Sequence, residues 1–293
     1  MATLREIRNR IGSIESTQQI TKAMKMVSSA KLRKAQERIL ALRPYAYELR
    51  NVIRHLVALI EDVSSLPLIR KRPVNKALIV VVTSDRGLCG AFNSNIIRTV
   101  IKRLNDYRQT ETSLYIVGRK GYEYFSRRDK HIEKYKPDVF HDICFDNAVS
   151  IVRDLVSLYL HGGYDRIEII YNEFKSAIQQ NVIHEQFLPF EPEKESEEAV
   201  SESVSKVDFL YEPDKATLVN QLIPKNLNIQ FWRILLESNA AEQGARMTAM
   251  ESATDNAEEL INQLTIYYNR TRQAAITKEL SEIVGGANAL KES

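Results

Sequence analysis

In the last third of the chain, Met247, Met250, Thr254, Ala257, Ile261, Leu264, Tyr268, Thr271 and Ala275 follow one another at alternating steps of three and four. A mean step of about 3.5 residues keeps such positions on one seam of a helix, the pattern a supercoiled partner needs. No proline follows Pro224. The pattern therefore predicts a helix from about Lys225 to Leu290. At about 1.5 Å per residue it would be on the order of 100 Å long, more than a compact domain of this size is wide. Such a helix needs a partner, and the opening of the chain supplies one. Leu4, Ile7, Ile11 and Ile14 begin a similar stripe. Continuing that register would turn Gln18, Thr21 and Lys25 inward, whereas the apolar residues move to Ile20, Met24 and Val27. This predicts a slip in the seam. A second register then runs through Leu32, Ala35, Ile39, Leu42, Ala46, Leu49, Ile53, Leu56 and Ile60, and Pro44 predicts a kink near Arg43. Small residues on the later helix (Ala240, Ala241, Gly244, Ala245, Ala249, Ala253) would let the two approach closely.

Between the helical stretches the period changes. After a linker over 61–76 with Pro67 and Pro73, Ala77–Thr83 (ALIVVVT) is a short β-branched run, as expected of a strand buried on both faces of a parallel sheet. Helical patterns at about 92–107, 121–128 and 147–161 alternate with strands at 113–117 and 166–171. Residues 177–188 and 207–211 read as added antiparallel edge strands, and 215–222 as a short helix ending at Pro224. The expected fold is α/β plus a long antiparallel coiled coil: helices over 1–60 and 213–293 pair, with a three-layer, Rossmann-like α/β domain (77–212) inserted between them. Within that domain, 191–205 carries six glutamates and almost nothing apolar, which predicts a solvated, mobile loop.

Composition adds two constraints. A 44% hydrophobic, 27% charged chain of net charge +3 is ordinary for a soluble protein with a real core. The charge is uneven, however: residues 1–54 hold twelve Lys or Arg against four Glu, a net +8. That is either a solvated helix face or a surface for an acidic partner, and the lack of interleaved aromatics before Tyr45 argues against nucleic acid. Cys89 and Cys144 form no CxxC pair, so neither a disulfide framework nor a zinc site is expected. The amino terminus lacks the apolar core of a secretory signal, and no run approaches 18 apolar residues.

The turn after the first strand, SDRGLCGAFN, sits where an open α/β sheet usually binds its ligand. It matches neither GxGxxG nor the phosphate loop GxxxxGK[ST]. A structural turn is expected, with Gly87 and Gly90 allowing the tight bend and Asp85 capping the next helix or pairing with Arg86. The five histidines show no ligand spacing, and no catalytic constellation, metal site or cofactor site is expected.

Four stretches together resemble one family. ITKAMKMVSSAKL (20–32), SDRGLCGAFN (84–93), ARMTAMESATDNA (245–257) and NRTRQAAITKELSEIVGGANAL (269–290) look like the gamma subunit of the F-type ATP synthase, in order and over essentially the whole chain. The resemblance implies a non-catalytic rotor shaft, one copy per complex. Its terminal helices would lie within a ring of alpha and beta subunits. Its α/β domain would stand with the epsilon subunit on the membrane c ring, at the cytoplasmic face of a bacterial membrane. It further implies beta-subunit contacts at Met24, Lys22, Lys25, Arg272, Gln273 and Thr277, and a low-adhesion bearing at the tip around Ile283, Val284 and Ala287. The slip would leave Lys22, Lys25, Lys31, Arg33 and Lys34 facing outward. The cysteine pair of the plastid form has no counterpart here, so thiol regulation of that kind is not expected. The competing readings are a nucleotide-binding α/β enzyme and a coiled-coil scaffold.

Overall fold

A computed structural model describes residues 3–58, 66–107, 110–128, 130–176, 179–191 and 214–291. The expected strand at 207–211 and nearly all of the acidic stretch lie outside these residues. Among the described residues, ten elements run in the order α1 (Leu4–Ala58), β1 (Lys76–Val82), α2 (Phe92–Asp106), β2 (Glu111–Val117), α3 (Arg119–Phe125), β3 (Ile132–Lys136), α4 (Phe145–His161), β4 (Arg166–Phe174), β5 (Gln180–Leu188) and α5 (Lys215–Lys291). The chain divides into two compact units, Met1–Ser28 with Arg246–Ser293, and Ser29–Ala245.

The second unit holds a five-stranded sheet in the order β3-β2-β1-β4-β5. β1, β2, β3 and β4 are parallel and β5 joins β4 antiparallel. The alternation of β1 explains why it is central. Leu78, Val80 and Val82 face one core with α4, Leu49, Ile53 and Leu56 of α1, and Phe231, Ile234 and Leu235 of α5. Ile79 and Val81 face the other core with Phe92, Ile96 and Val100 of α2. Each such side chain contributes about 1.5–3 kcal/mol when fully buried, so a strand covered on both faces reads as an unbroken apolar run. Two of the small residues of α5 have a role in the α/β body. Ala241 and Ala245 pack into the core that α2 shares with the sheet, so their size serves the fit of α5 against the α/β body.

Two prolines were expected to interrupt helices, and neither ends one. Pro44 lies inside α1 and Pro224 inside α5, which is one helix from Lys215 onward. A proline frees the carbonyl four residues earlier. Those carbonyls belong to Leu40 and Asn220, both exposed, where water can satisfy them. The third helix begins at Arg119, two residues before its expected start, and β3 gave no clear signal in the sequence because only Ile132 in it is aliphatic.

The first unit contains the start of α1 and the end of α5. Ile7, Thr21 and Ser28 of α1 are buried, as are Met250 and Ala257 of α5. The Thr21 and Thr254 hydroxyls stand 2.8 Å apart, and Lys25 Nζ lies 2.6 Å from Glu251 Oε1. Moving forward along α1 thus moves backward along α5, the order of an antiparallel arrangement.

Candidate functional site: the helical surfaces and the sheet edge

The slip expected in α1 does not occur. Buried or half-buried positions run through Leu4, Ile7, Ile11, Ile14, Gln18, Thr21, Lys25, Ser28, Leu32, Ala35, Ile39, Leu42, Ala46, Leu49, Ile53 and Leu56, alternating three and four throughout. A helix cannot change seam without an inserted stutter of three or four residues, so polar side chains occupy the inward positions. Thr21 does so at little cost. Its hydroxyl reaches the Gln18 carbonyl at 3.0 Å and Thr254, while the Thr254 hydroxyl donates to the Met250 carbonyl at 2.7 Å. Lys25 is half-buried and ion-paired to Glu251, not turned outward as expected. The displaced apolar residues face water: Ile20 is 60% exposed, Met26 61% and Val27 55%, with Met24 half-buried between them. Lys22, Lys31, Arg33 and Lys34 surround them and are exposed.

On α5 all nine positions from Met247 to Ala275 lie inward. From Ile276 to Val284 every side chain is exposed, including Ile276, Leu280, Ile283 and Val284. Arg272, Gln273 and Thr277 are exposed; the Thr277 hydroxyl is turned back to the Gln273 carbonyl at 2.9 Å. The side chain of Ala287 lies outside the described residues.

The turn after β1 is a clamp built from the chain's own groups. The Asp85 carboxylate accepts from the backbone N–H of Arg119 (3.0 Å), Asp138 (3.3 Å) and Phe140 (3.0 Å), so it caps α3, not α2, and ties three loops together. Thr83 Oγ1 accepts from Gly121 N–H at 2.9 Å and donates to the Val117 carbonyl at 3.1 Å. Asn93 receives the Ser84 N–H at 3.1 Å and donates from its amide nitrogen to Ser84 Oγ at 2.7 Å; Ser84 Oγ donates to the Arg86 carbonyl at 2.7 Å. Leu88 and Gly90 adopt positive φ (63° and 55°), whereas Gly87 does not. The N–H groups of Ser84, Arg119, Gly121, Asp138 and Phe140 are thereby engaged in tying these loops together. Among the described residues, no group of three or more His, Cys, Asp or Glu could hold a metal ion, and no helix is long and apolar enough to cross a membrane.

These features define a class: a mixed α/β protein whose terminal helices carry exposed apolar and basic stripes and whose sheet edge is closed by its own backbone. The comparisons give the particular family. The ATP synthase family profile matches residues 3–290. An ATP synthase gamma chain from Chloroherpeton thalassium is 49% identical over the whole of both chains, and one from Cytophaga hutchinsonii is 48% identical over 99% of each. Among solved structures, the central stalk and c-ring structure of the Tetrahymena thermophila mitochondrial ATP synthase contains a chain 30% identical, with a TM-score of 0.61, covering 80% of this chain and 99% of that one. A chain of the Euglena gracilis mitochondrial ATP synthase, 22% identical with a TM-score of 0.68, shares the fold. The chain belongs to the ATP synthase gamma-chain family. Its role is that of the central stalk: a non-catalytic rotor subunit that couples ion flow to ATP chemistry in the synthase complex.

Proposed function

We propose that α1 and α5 pair as an antiparallel coiled coil that turns inside a ring of alpha and beta subunits. In this reading the α/β unit stands with epsilon on the c ring at the cytoplasmic face of a bacterial membrane. The observation that supports it most is the pair of unbroken inward seams. Stepping from the Thr21–Thr254 contact by threes and fours sets Ile14 opposite Ile261, Ile7 opposite Tyr268 and Leu4 opposite Thr271. Beyond Ala275 the seam ends, and every side chain of 276–284 is exposed.

A rotor must push on three equivalent partners in turn and release each of them. Lys22 and Met24 beside exposed Ile20 and Val27 offer an apolar contact ringed by positive charge, suited to an acidic loop of a beta subunit. Arg272, Gln273 and Thr277 offer exposed hydrogen-bonding groups on α5 for a second such contact. Exposed hydrogen bonds and ion pairs are worth roughly 1 kcal/mol or less each, weak enough to break at every step. Exposed Ile283 and Val284, followed in sequence by Ala287, suit a sliding tip in an apolar sleeve.

The test is coupling in the assembled, membrane-reconstituted complex. Met24→Lys adds a cation among Lys22, Lys25 and their neighbours, and Gln273→Leu removes a polar contact. Each is expected to lower ion pumping per ATP hydrolysed by roughly threefold to tenfold, on the order of 1 kcal/mol of coupling. An unchanged ratio in both variants, with normal assembly, would show that these residues do not carry torque.

A further inference from the structure

Within the second unit, the sheet face that α5 covers gathers carboxylates from three elements. Ile169 of β4 pairs with Glu185 of β5, so Ile169, Tyr171, Glu173 and Glu185 point to one side of the sheet. Ile169 and Tyr171 set that side against Phe231, Ile234 and Leu235 of α5. On α5, Gln230, Arg233 and Glu237 follow at steps of three and four and share one face of the helix. Gln230 Nε2 and Arg233 Nη2 both turn to the Glu185 carboxylate, at 3.4 and 3.6 Å. Glu237 gains no such donor: it is half-buried, and its Oε2, closed off from solvent, has no hydrogen-bond partner among the described residues. The charges that act on it are Arg233 of its own helix, Glu173 and Glu185 of the strands, and the exposed Arg43 of α1. Tyr171, the other titratable group of this face, feels Glu173, Glu185, Arg233 and Glu237, and burial pushes its pKa up, so it stays neutral.

A carboxylate oxygen shut away from water without a donor is costly, and taking up a proton removes the charge that makes it so. Arg233 is already engaged by Glu185, and Arg43 acts from an exposed position, where salt screens its pull. We propose that Glu237 is a proton-operated switch: it holds a proton while α5 lies tight on β4 and β5, and releasing that proton loosens this stretch of α5 from the sheet. The electrostatics run the same way. Burial, helped by Glu173 and Glu185, pushes the Glu237 carboxyl above its ordinary value of 4.5, against the pull of Arg233 and Arg43. A folded pKa above the unfolded value gives stability that is complete below about 4.5 and is lost as pH rises through the folded value. The firmness of α5 on the sheet is thereby tied to the proton activity around the protein. The inference stands on the α/β unit and is independent of the shaft contacts.

The test is thermal unfolding of the full-length chain from about pH 4.5 to about pH 8, wild type against Glu237→Gln, which keeps the shape of the neutral acid and cannot ionise. The two are expected to melt together at the acid end, and the variant should gain roughly 2–4 °C in Tm over the wild type at the alkaline end. Glu173→Gln removes a repelling neighbour, so in that background the gain from Glu237→Gln should shrink. The wild type alone gives a second readout should the glutamine variant fail to fold. At about pH 5.5, where an ordinary glutamate is ionised, its infrared spectrum should hold the C=O band of a protonated carboxyl that disappears on unfolding. A difference in Tm between wild type and Glu237→Gln that is the same at every pH, or a folded wild type without that band, would overturn the proposal.

Discussion

Glu168→Ala is expected to lower the unfolding free energy of the α/β unit by roughly 3–5 kcal/mol, the usual cost of breaking a buried, hydrogen-bonded ion pair. Glu168 stands in the middle of β4, 2% exposed. Arg103 of α2 reaches it with two nitrogens at 2.8 and 2.7 Å, the Tyr107 hydroxyl donates at 2.7 Å, and His184 Nε2 of β5 lies 2.8 Å away. One carboxylate thereby fastens α2 and the antiparallel edge strand to the sheet. Burial alone would push its pKa up, but the hydrogen bonds from Arg103, His184 and Tyr107 outweigh burial and hold it at about 2. A folded pKa below the unfolded value means stability that is present above about 4.5 and is lost as pH falls toward about 2. Urea unfolding should therefore show a loss of about 3 kcal/mol across that window, absent in Glu168→Ala. Arg103→Ala should give a similar deficit, and the double variant should cost far less than the two singles together. Additive losses would show that the cluster does not act as a unit.

The seam on α5 was legible because its nine positions are mostly apolar, and periodicity alone recovers all of them. The seam on α1 was misread for a physical reason. Hydrophobicity marks Ile20, Met24 and Val27 as inward, whereas in 18–28 the inward face carries Gln18, Thr21, Lys25 and Ser28. Helix geometry, which spaces the seam at a constant step, was the better guide there. The conflict between the two signals is itself informative. Where the seam turns polar, Ile20 and Val27 turn outward, so hydrophobicity and helix geometry point to different faces.

The doubly wound sheet was legible from the β-branched run of β1 and the alternation that follows it. Asp85 was singled out, but its partners Arg119, Asp138 and Phe140 act through backbone N–H groups, which leave no trace in residue identity. The Glu168 cluster leaves no motif because its partners lie 16 to 65 residues from Glu168 along the chain. A glutamate at the centre of a strand otherwise buried was the signal available: in RIEIIY it interrupts a run that packs on both faces.

Gly118→Ala is expected to cost more than about 3 kcal/mol, because two separate penalties meet at one atom. Gly118 holds φ at 94°, a region that L side chains rarely adopt, and an added Cβ would overlap the Thr83 backbone carbonyl, which cannot move without breaking the end of β1. Two other glycines separate these terms. Gly163 has φ of 76° with nothing within 4 Å, so Gly163→Ala should show strain alone, roughly 1–2 kcal/mol. Gly121 shows no such φ, and its added Cβ would stand 2.8 Å from Thr83 Oγ1, a side-chain atom. Gly121→Ala should therefore cost roughly 1–3 kcal/mol, and less in a Thr83→Ala background, where the obstructing hydroxyl is gone. Thr83→Ala should not relieve Gly118→Ala, since the carbonyl remains. Urea unfolding of these variants measures both the order and the rescue. A Gly118→Ala cost equal to that of Gly163→Ala would mean that the sheet edge yields. A clamp that yields there could not hold the loops after β1, β2 and β3 in one rigid body.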